Sequence, residues 1–504
     1  MRYPALSRGF NQRWIAYPDY IRMISSPQEA VTALREAVNR PDADAERTRV
    51  TVRSGGHCYE DFVCGDDVRV ILDVSPMCGL YHDSRMDAWC VEAGATNWHV
   101  YSHLYPLSGR ALPAGSCYSV GLGGHVTGGG YGLLSRQAGL TVDYLYAVEV
   151  AVVTERRTVE LVVATRDDDD HDLRNLWWAH TGGGGGNFGL ITRFWFRDLP
   201  TPPSRVLLTA RAWQWKDFTK ENFTYLLTAY GEYFRFHQDA STAAGRLFAL
   251  LALNHVANGT ITMVAQVDDD TGDGTEAMRR FLDAVDGDAV PASGPMLYSA
   301  AEHAAIPSAW QPRLMPWLTA TQALNSSGEN RCGKYKSAYL RRPFTSEQID
   351  AMWAYLGHEK YVDFANKQAL IQVDSYGSAI NDRSADETAV PQRDSILKMQ
   401  YQVYWNRPSD TDPGDVAKNL AWIRDTYRAT FAGTGGVPVI GDITDGCYIN
   451  YPDTDLNDPE WNSSSDPWSR LYYKHAYPRL QDAKERWDPH NFFRHQQSVQ
   501  PFTT

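Results

Sequence analysis

The chain has 504 residues, of which 43% are apolar and 22% charged, an ordinary composition for a globular protein. That length exceeds what one hydrophobic core usually serves, so we expect two domains or one domain with a large insertion. The 61 acidic and 48 basic residues leave a net charge of -13, which argues against nucleic acid or another polyanion as a partner.

The first two hundred or so residues alternate predicted helices and strands. Ser26 caps a helix that has Pro27 in its first turn, and Thr96 caps a second helix that runs towards Tyr105. Apolar runs predict strands at residues 50–52, 68–74, 143–153, 159–164 and 190–195. The composition changes at the Pro-Thr-Pro-Pro run of residues 200–203, so we place a domain boundary there.

Beyond this boundary the pattern predicts antiparallel strands followed by helices. Thr345 and Gln348 have the spacing of a capping box, and Asn258-Gly259 is a strong hairpin signal. The predicted strands are residues 205–215, 247–267, 369–373 and 396–405, and the predicted helices are residues 275–285, 345–358 and 415–431. Antiparallel strands with helices on one face indicate an α+β insertion that could cover a substrate.

Residues 53–132 concentrate glycines around two nucleophilic side chains. His57 closes the run Arg-Ser-Gly-Gly-His after a predicted strand, and Cys117 follows Pro-Ala-Gly-Ser. Seven glycines lie within the fifteen positions after Cys117. Such clustering is costly in chain entropy, so something must approach the backbone there. Each short run alone is more often a turn, and a lone His near glycines is more often structural.

No nucleotide-binding or hydrolase signature explains these glycines. The one G-x-G-x-x-G match, at Gly184, Gly186 and Gly189, precedes a predicted strand, whereas a Rossmann fingerprint must open a helix. The seven cysteines show no CxxC or paired spacing, so we predict no disulfide framework and no zinc site. His99 and His103 lack a third ligand at metal spacing, and no metal site is expected.

The N-terminal residues turn polar at once and lack the apolar core of a signal peptide. No apolar run approaches membrane-spanning length. We therefore expect a cytoplasmic protein without a membrane segment, and a homodimer is left open.

The motifs resemble those of the berberine bridge enzyme-like branch of the FAD-linked oxidases, in the vanillyl-alcohol oxidase superfamily. The resemblance rests on residues 53–57, on Cys117, on Gly-Leu-Gly-Gly-His at 121–125 and on Gly-Gly-Gly-Tyr-Gly at 128–132. It continues in residues 448–453 and 487–494, so it spans nearly the whole chain. The chain is similar in character to members from actinobacterial antibiotic pathways, including hexose oxidases.

The resemblance implies an α+β fold with a two-part FAD-binding domain of the vanillyl-alcohol oxidase, or PCMH, type. Residues 1–199 and 436–504 would form that domain, and residues 200–435 would form an inserted substrate-binding domain. It further implies FAD bound covalently twice, through His57 and Cys117. The other cofactor-binding residues implied are Arg53, Ser54, Gly55, Gly56, Cys58, Val120, Gly121, Gly124, His125, Gly132, Asn187, Gly189, Leu190 and Asn450.

Oxidation of an alcohol needs a base for the O–H proton, and a tyrosine can serve if its pKa is lowered. By resemblance, Tyr131 is the first candidate. Tyr451 is the second, and it lies close to Tyr448 and Asn450. The 28 tyrosines of the chain mean that only the motif position singles these out.

The strand at residues 396–405 places Lys398, Gln400, Gln402 and Tyr404 on one face, because side chains alternate along a strand. A polar face is unremarkable if it meets solvent. Plant members of the family carry a similar Lys-x-Gln strand that faces the substrate, so the resemblance assigns this face to the pocket. Lys398 would then favour the phenolate of Tyr131.

The predicted function is an oxidase that uses O₂ to oxidise a sugar or secondary-metabolite hydroxyl to a carbonyl or acid, with H₂O₂ release, in antibiotic biosynthesis. Its substrate would be a glycoside, glycopeptide or polyketide alcohol. A reducing-carbohydrate oxidase and an enzyme of oxidative ring closure are alternatives. A flavin-carrying binding protein is disfavoured, because a binder has no need of Tyr131, Tyr451 and Lys398 together. By resemblance, the small side chain of Val120 leaves room for O₂.

Overall fold

The computed structural model describes residues 5–41, 48–287, 311–407 and 412–502. Within these ranges the strands form sheets of three, five and seven strands. In chain order the strands are β1 (Tyr20–Met23), β2 (Arg49–Arg53), β3 (Val68–Asp73), β4 (Leu80–Asp83), β5 (Ala88–Glu92), β6 (Leu145–Val153), β7 (Val159–Thr165), β8 (Leu190–Phe196), β9 (Arg205–Gln214), β10 (Phe248–Asn254), β11 (Thr260–Asp268), β12 (Arg313–Pro316), β13 (Cys332–Leu340), β14 (Ala369–Ser375) and β15 (Leu397–Trp405).

The α-helices range from single turns to eighteen residues. They are α1 (Pro27–Val38), α2 (Asn97–Ser108), α3 (Leu122–His125), α4 (Ser135–Ala138), α5 (His171–Ala179), α6 (Lys220–Phe236), α7 (Ala243–Arg246), α8 (Gly274–Asp286), α9 (Trp317–Leu324), α10 (Ser346–Trp353), α11 (Pro413–Thr430), α12 (Trp468–Tyr473) and α13 (Tyr477–Trp487). None of those in the described ranges is long and apolar enough to cross a membrane. The described residues also contain no group of three His, Cys, Asp or Glu side chains that could hold a metal ion.

The first two sheets come from the chain before residue 200. The three-stranded sheet has the order β1-β3-β2 with parallel pairs, and the five-stranded sheet has the order β4-β5-β8-β6-β7 with antiparallel pairs. Strand β6 is buried at eight of its nine positions, as its nearly continuous apolar sequence requires. Strand β2 ends at Arg53, so the predicted glycine turn leaves directly from an edge of the first sheet.

The third sheet is antiparallel throughout, in the order β12-β9-β11-β10-β14-β15-β13. Helices α8 and α11 contact its strands β11 and β15. Tyr230 on α6 donates from its hydroxyl to the carbonyl oxygens of Ala249 and Val373, each at 2.9 Å. These contacts confirm the predicted α+β character, with polar residues of β14 and β15 alternating away from the apolar ones.

Most of the predicted elements are confirmed, and their errors have local causes. Ser26, Thr96 and Thr345 all accept a backbone N–H at a helix start, and Gln348 completes the capping box. The strand predicted from residue 143 starts at residue 145, because residues 141–144 form a 3₁₀ turn.

Two further differences arise at glycines. The helix predicted to residue 358 ends its α-helical part at Trp353, and Gly357 beyond it has a left-handed φ of 109°. The hairpin between β10 and β11 has a five-residue connection rather than a two-residue turn, and it closes at Gly259 with a φ of 95°. Both glycines sit where an L-residue with a side chain would be strained.

The C-terminal segment contacts the glycine run at residues 182–186. Tyr473 donates a hydrogen bond to the Gly183 carbonyl oxygen at 2.9 Å. The fully buried Lys484 pairs with Asp488 at 2.6 Å and donates to the Asn187 carbonyl oxygen at 2.8 Å. The segment after residue 436 thus touches the part of the chain before residue 200. The exact domain boundaries at residues 200 and 435 stay predictions.

Candidate active site

A large cleft collects the predicted site residues. It holds about 1960 Å³ of empty space, counting the part that is open to solvent. Loops of the first two sheets, strands of the third sheet and the C-terminal segment all contribute to its wall. The predicted residues on this wall are Arg53, Ser54, Gly55, Gly56, His57, Cys58, Cys117, Val120, Gly121, Gly124, His125, Tyr131, Gly132, Asn187, Gly189, Gln400, Tyr448, Asn450 and Tyr451.

Leu190 and Lys398 do not lie on the wall. Leu190 is fully buried in β8, whereas its neighbours Gly189 and Ile191 line the cleft. Alternation along the strand turns the Leu190 side chain into the core, and its assignment to the cofactor stays a prediction. Lys398 is also fully buried, and its ammonium group contacts Tyr451 and Asp374, two side chains that line the cleft.

At most of these positions glycine is needed because another part of the chain lies too close to leave room for a side chain. A Cβ on Gly121 would lie 2.2 Å from the Gly55 nitrogen, so the two glycine loops touch through their backbones. A Cβ on Gly132 would lie 1.7 Å from the Ala114 carbonyl oxygen. By contrast, a Cβ on Gly124 would meet no atom within 4 Å. Gly124 therefore faces the empty space of the cleft.

His57 is held on two sides at the end of the glycine turn. Gly56 has a φ of 74°, which lets the chain turn sharply after β2. The His57 ring stacks on Phe10 with centroids 4.4 Å apart, and its Nε2 lies 2.8 Å from the Ser119 hydroxyl oxygen. Burial, together with the charge of Arg53, lowers the pKa of His57 to about 4, so the ring is neutral at pH 7.

The loop that carries Cys117 is tied to the protein by neighbouring polar groups. The Asn97 amide donates to the Cys117 carbonyl oxygen at 3.2 Å. The Gly115 N–H donates to Nε2 of His125 at 2.9 Å. Burial, helped by the charge of Lys398, lowers the pKa of His125 to about 4, so this ring can accept that bond. These contacts leave Cys117 half-buried on the cleft wall.

The hydroxyl of Tyr131 points to the backbone and not to a charged group. It donates to the Ser375 carbonyl oxygen at the end of β14. Burial, and then the charge of Asp374, raises the pKa of Tyr131 well above its ordinary value. Tyr131 therefore keeps its proton in this arrangement, which does not favour it as a base.

Lys398 instead donates a hydrogen bond to the hydroxyl oxygen of Tyr451, with an N–O distance of 3.0 Å. Its ammonium group also pairs with Asp374 at 2.7 Å. The same nitrogen lies 4.4 Å from the ring centroid of Tyr131 and 5.4 Å from that of Tyr448. One ammonium group is thus surrounded by three tyrosines and one carboxylate, and its hydrogen bond goes to Tyr451.

The polar face of β15 forms a chain of hydrogen bonds with β14. Tyr404 donates to Gln402 at 2.8 Å, Gln402 donates to Gln372 at 2.9 Å, and Gln372 donates to Asp374 at 2.7 Å. Gln400, on the same face, lines the cleft directly and contacts the Tyr59 hydroxyl at 3.3 Å. Of the four residues assigned to the pocket, Gln400 reaches its wall, and the others support that wall from behind.

A family model for an FAD binding domain matches residues 18–158, and one described as "Berberine and berberine like" matches residues 447–500. Aclacinomycin-N/aclacinomycin-A oxidase of Streptomyces galilaeus is 41% identical over 98% of this chain and 87% of that protein. The chain belongs to the berberine bridge enzyme-like family of FAD-linked oxidases.

Hexose oxidase of Chondrus crispus is 38% identical, over 99% of this chain and 93% of that protein. Among solved structures, glycopeptide hexose oxidase DBV29, described as complexed with teicoplanin, has a TM-score of 0.88 and 38% identity. That match covers 99% of this chain and 96% of the other. This berberine bridge enzyme-like protein is therefore an FAD-dependent oxidoreductase with an FAD-binding domain.

The cleft of this family member fits FAD. Beside the open space at Gly124, a Cβ on Gly185 would meet nothing closer than 3.4 Å, so two glycine backbones are accessible to a ligand. Backbone N–H groups in such runs bind phosphate oxygens. His57 and Cys117 lie on the same wall as these glycines. The glycine-rich residues would hold the dinucleotide, and the two nucleophiles would meet its flavin end.

Two predicted cofactor residues use their side chains to hold the protein together. Asn187 donates to the Gly183 carbonyl oxygen at 2.9 Å and accepts the Val499 N–H at 2.8 Å. Asn450 donates to the carbonyl oxygen of His125 and to the hydroxyl of Tyr448, each at 2.9 Å. Their contribution to the cleft is therefore to fix the loops that line it.

Tyr59, Ser119, Gln372 and Asp374 are polar residues near the site that the sequence analysis did not predict. Tyr59 follows the His57 motif by two positions and lines the cleft, and Ser119 lies two positions after Cys117. Gln372 and Asp374 also line the cleft, at the end of an otherwise apolar strand. The sequence could have predicted these two residues, because polar residues two positions apart on a buried strand lie on the same face. Nothing in the sequence marks Tyr59 or Ser119.

Proposed function

We propose that this oxidase carries FAD on two covalent bonds and uses it to oxidise an alcohol carbon of a glycosylated or polyketide secondary metabolite, with O₂ as the electron acceptor. His57 would bind the 8α carbon of the flavin, and Cys117 would bind ring carbon C6. Both nucleophiles lie on the wall of one cleft whose glycine backbones are open to a ligand. When bound, FAD supplies the acceptor for the electron pair of the substrate C–H bond.

The hydrogen bond from Lys398 to Tyr451 carries the assignment of the base. A nearby ammonium group favours the phenolate form of a tyrosine. Tyr451 has this group 3.0 Å from its oxygen and lies on the cleft wall, where a substrate hydroxyl can reach it. In our proposal Tyr451 takes the hydroxyl proton of the substrate. The order of the two candidate tyrosines is thereby reversed.

Tyr131 has a supporting role in this scheme. Its ring lies against the Lys398 ammonium group, and a cation over an aromatic face is stabilised by the ring quadrupole. Asp374 holds the same ammonium group from another side. Together they keep the positive charge next to the Tyr451 oxygen while water is excluded from the fully buried Lys398.

The wall beyond the tyrosines supports a substrate with several hydroxyl groups. Gln372, Gln400 and Asp374 offer amide and carboxylate groups, which match the donors and acceptors of a sugar ring. Tyr59 adds an aromatic surface next to them. The named relatives, aclacinomycin oxidase and glycopeptide hexose oxidase, support a sugar on a natural product. The hexose oxidase relative keeps a reducing-carbohydrate oxidase as the second candidate.

A two-part experiment tests the proposal. Mass spectrometry of a digest should find flavin on the peptides of both His57 and Cys117, and denatured protein should stay yellow. A peroxide assay over free hexoses, glycosides and polyketide alcohols should then give one H₂O₂ per two electrons removed, with glycosides preferred. Flavin released on denaturation would contradict the covalent attachment. Turnover of free hexoses alone would favour the reducing-carbohydrate oxidase.

A further inference from the structure

The loop that carries Cys117 also holds the imidazole ring of His57. The Ser119 hydroxyl oxygen lies 2.8 Å from Nε2, while Phe10 stacks on the ring face. Among the described residues none forms a hydrogen bond with Nδ1, the other ring nitrogen. The protein therefore fixes both the plane of the His57 ring and the ring nitrogen, Nε2, that forms the hydrogen bond.

A second serine decides the direction of this hydrogen bond. The Ser119 hydroxyl donates to the Ser327 hydroxyl oxygen at 2.7 Å, and the Ser119 N–H donates to the same oxygen at 3.2 Å. Because the Ser119 hydroxyl proton points at Ser327, its oxygen can only accept from His57. Nε2 of His57 therefore carries the proton, and Nδ1 keeps the lone pair.

We infer that Ser119 and Ser327 are positioning residues for covalent attachment of the flavin, because they hold His57 as the tautomer in which Nδ1 is the nucleophile. This inference rests on the attachment through His57 proposed above. It adds two residues to the attachment site and gives a reason why Nδ1 is the ring nitrogen that reacts. It also makes the step depend on the inserted part of the chain, since Ser327 lies between α9 and β13.

The attachment step balances with groups that are present. A bond forms between Nδ1 and the 8α carbon, one C–H bond of that methyl group breaks, and the electron pair passes into the flavin ring. O₂, the acceptor of the oxidase reaction, then takes two electrons and two protons and leaves as H₂O₂. One proton comes from the methyl group and the other from Nε2. The Ser119 oxygen, 2.8 Å away, is placed to accept the latter.

The surroundings of His57 agree with this role. Burial, together with Arg53, lowers its pKa to about 4, so the neutral and nucleophilic ring prevails at pH 7. Ser327 is itself buried, with 3% of its surface exposed, so water does not easily replace it as the acceptor for Ser119. The buried Ser327 thus keeps the Ser119 hydroxyl directed away from His57, which fixes the tautomer.

The test compares Ser119→Ala and Ser327→Ala with Ser326→Ala, a neighbouring serine whose hydroxyl accepts a hydrogen bond from the Gly328 N–H. Full-length protein from flavin-limited cells is mixed with FAD, and digests are taken over time for mass spectrometry. We expect flavin attachment to His57 to slow about tenfold in Ser119→Ala, which corresponds to a barrier higher by about 1.4 kcal/mol. Ser327→Ala should slow it less, and Ser326→Ala should match wild type.

The bond to Cys117 serves as an internal control in the same molecules. We expect it to form at the wild-type rate in every serine variant, and Ser119→Thr, which keeps the hydroxyl, should recover attachment to His57. Equal rates of His57 attachment in Ser119→Ala and wild type would overturn the inference, and so would loss of both bonds. Wild-type protein with no flavin on His57 would instead refute the proposed two-point attachment, a result visible before any variant is made.

Discussion

At the scale of single residues, the Lys398 ammonium group organises the candidate catalytic centre. It pairs with Asp374 at 2.7 Å and donates to Tyr451 at 3.0 Å, while the rings of Tyr131 and Tyr448 lie around it. A fully buried ammonium group is costly unless it is paired and hydrogen-bonded. These contacts offset that cost and direct the charge to one tyrosine oxygen.

The first prediction separates the two tyrosines. Tyr451→Phe should slow flavin reduction by substrate about 10²- to 10⁴-fold, the usual effect of losing a general base. Tyr131→Phe should slow it much less, because the Tyr131 hydroxyl donates to the Ser375 carbonyl oxygen and keeps its proton. Anaerobic stopped-flow absorbance measures both rates, and covalent flavin content is the control. A large loss in Tyr131→Phe with little change in Tyr451→Phe would restore Tyr131 as the base.

The second prediction concerns the reaction with O₂. Val120 lies on the cleft wall three residues after Cys117, and its side chain stops one carbon beyond Cβ. Protein interiors are packed so closely that one added methylene group has an effect. The larger side chain of Val120→Leu should therefore fill the space next to the flavin. We expect slower reoxidation of the reduced enzyme in Val120→Leu, with flavin reduction unchanged. Stopped-flow reoxidation measures this, and equal rates would remove Val120 from the oxygen path.

At the scale of elements, the glycine loops have two different functions. The loop after β2 and the loop before α3 meet backbone to backbone at Gly55 and Gly121. Gly124, only three residues later, instead faces the empty cleft. Two glycines of one motif therefore serve loop packing in one case and ligand access in the other.

A matched pair of substitutions tests this division. In Gly121→Ala, the new Cβ would lie 2.2 Å from the Gly55 nitrogen, and backbone cannot move aside easily. We expect a loss of stability of about 1–3 kcal/mol, as for overpacking, seen as a lower urea midpoint. Gly124→Ala should keep the wild-type midpoint of the flavin-free protein but bind less FAD. The same effect of both substitutions on stability would contradict the distinction.

At the scale of the whole molecule, a buried charge network joins three distant parts of the chain. Lys334 pairs with Glu60 at 2.5 Å and with Asp453 at 2.6 Å. Lys336 pairs with Asp453 and Asp455, each at 2.8 Å. Glu60 comes from the first part of the chain, the lysines from β13, and the two aspartates from the C-terminal segment. The charges are satisfied only when all three parts are assembled.

The last prediction follows from this network. Burial opposes ionisation of Asp455, but the positive charges of Lys336 and Lys334 outweigh this effect. They hold the pKa of the Asp455 carboxyl well below its usual range. A carboxylate with a depressed folded-state pKa stabilises the fold above its unfolded pKa of about 4, and that contribution is lost as the pH falls below this value. We expect Asp455→Asn to destabilise the protein at pH 7 by up to about 3–5 kcal/mol, because buried Lys336 then keeps Asp453 as its one carboxylate partner and its charge is only partly compensated.

Urea unfolding at pH 7 and at pH 3 measures this effect, which should shrink at the lower pH. The matched control is Glu276→Gln, which removes an exposed partner of Arg279 on α8 and should leave the urea midpoint close to that of wild type. An Asp455→Asn protein as stable as the control variant at pH 7 would show that the network does not join the three parts.

The sequence by itself determined the repeating and contiguous features of this protein. Capping residues such as Thr345 and the alternation in β15 depend on neighbours a few positions away, so helix starts and the polar face with Gln400 could be predicted. The motifs around His57 and Cys117 identified the family, because their spacing is fixed within one stretch of chain.

Only the tertiary structure decided which side chains meet across that stretch. Lys398 and Tyr451 are 53 residues apart, and Ser119 and Ser327 are 208 apart, so no local pattern could pair them. No local pattern could predict the contact of Gly55 with Gly121 either. That contact explains why both positions are glycine, although the sequence alone suggested that a ligand approaches the backbone there. A charge or a hydrogen bond acts over a few ångströms of space, and the distance along the chain does not report that separation.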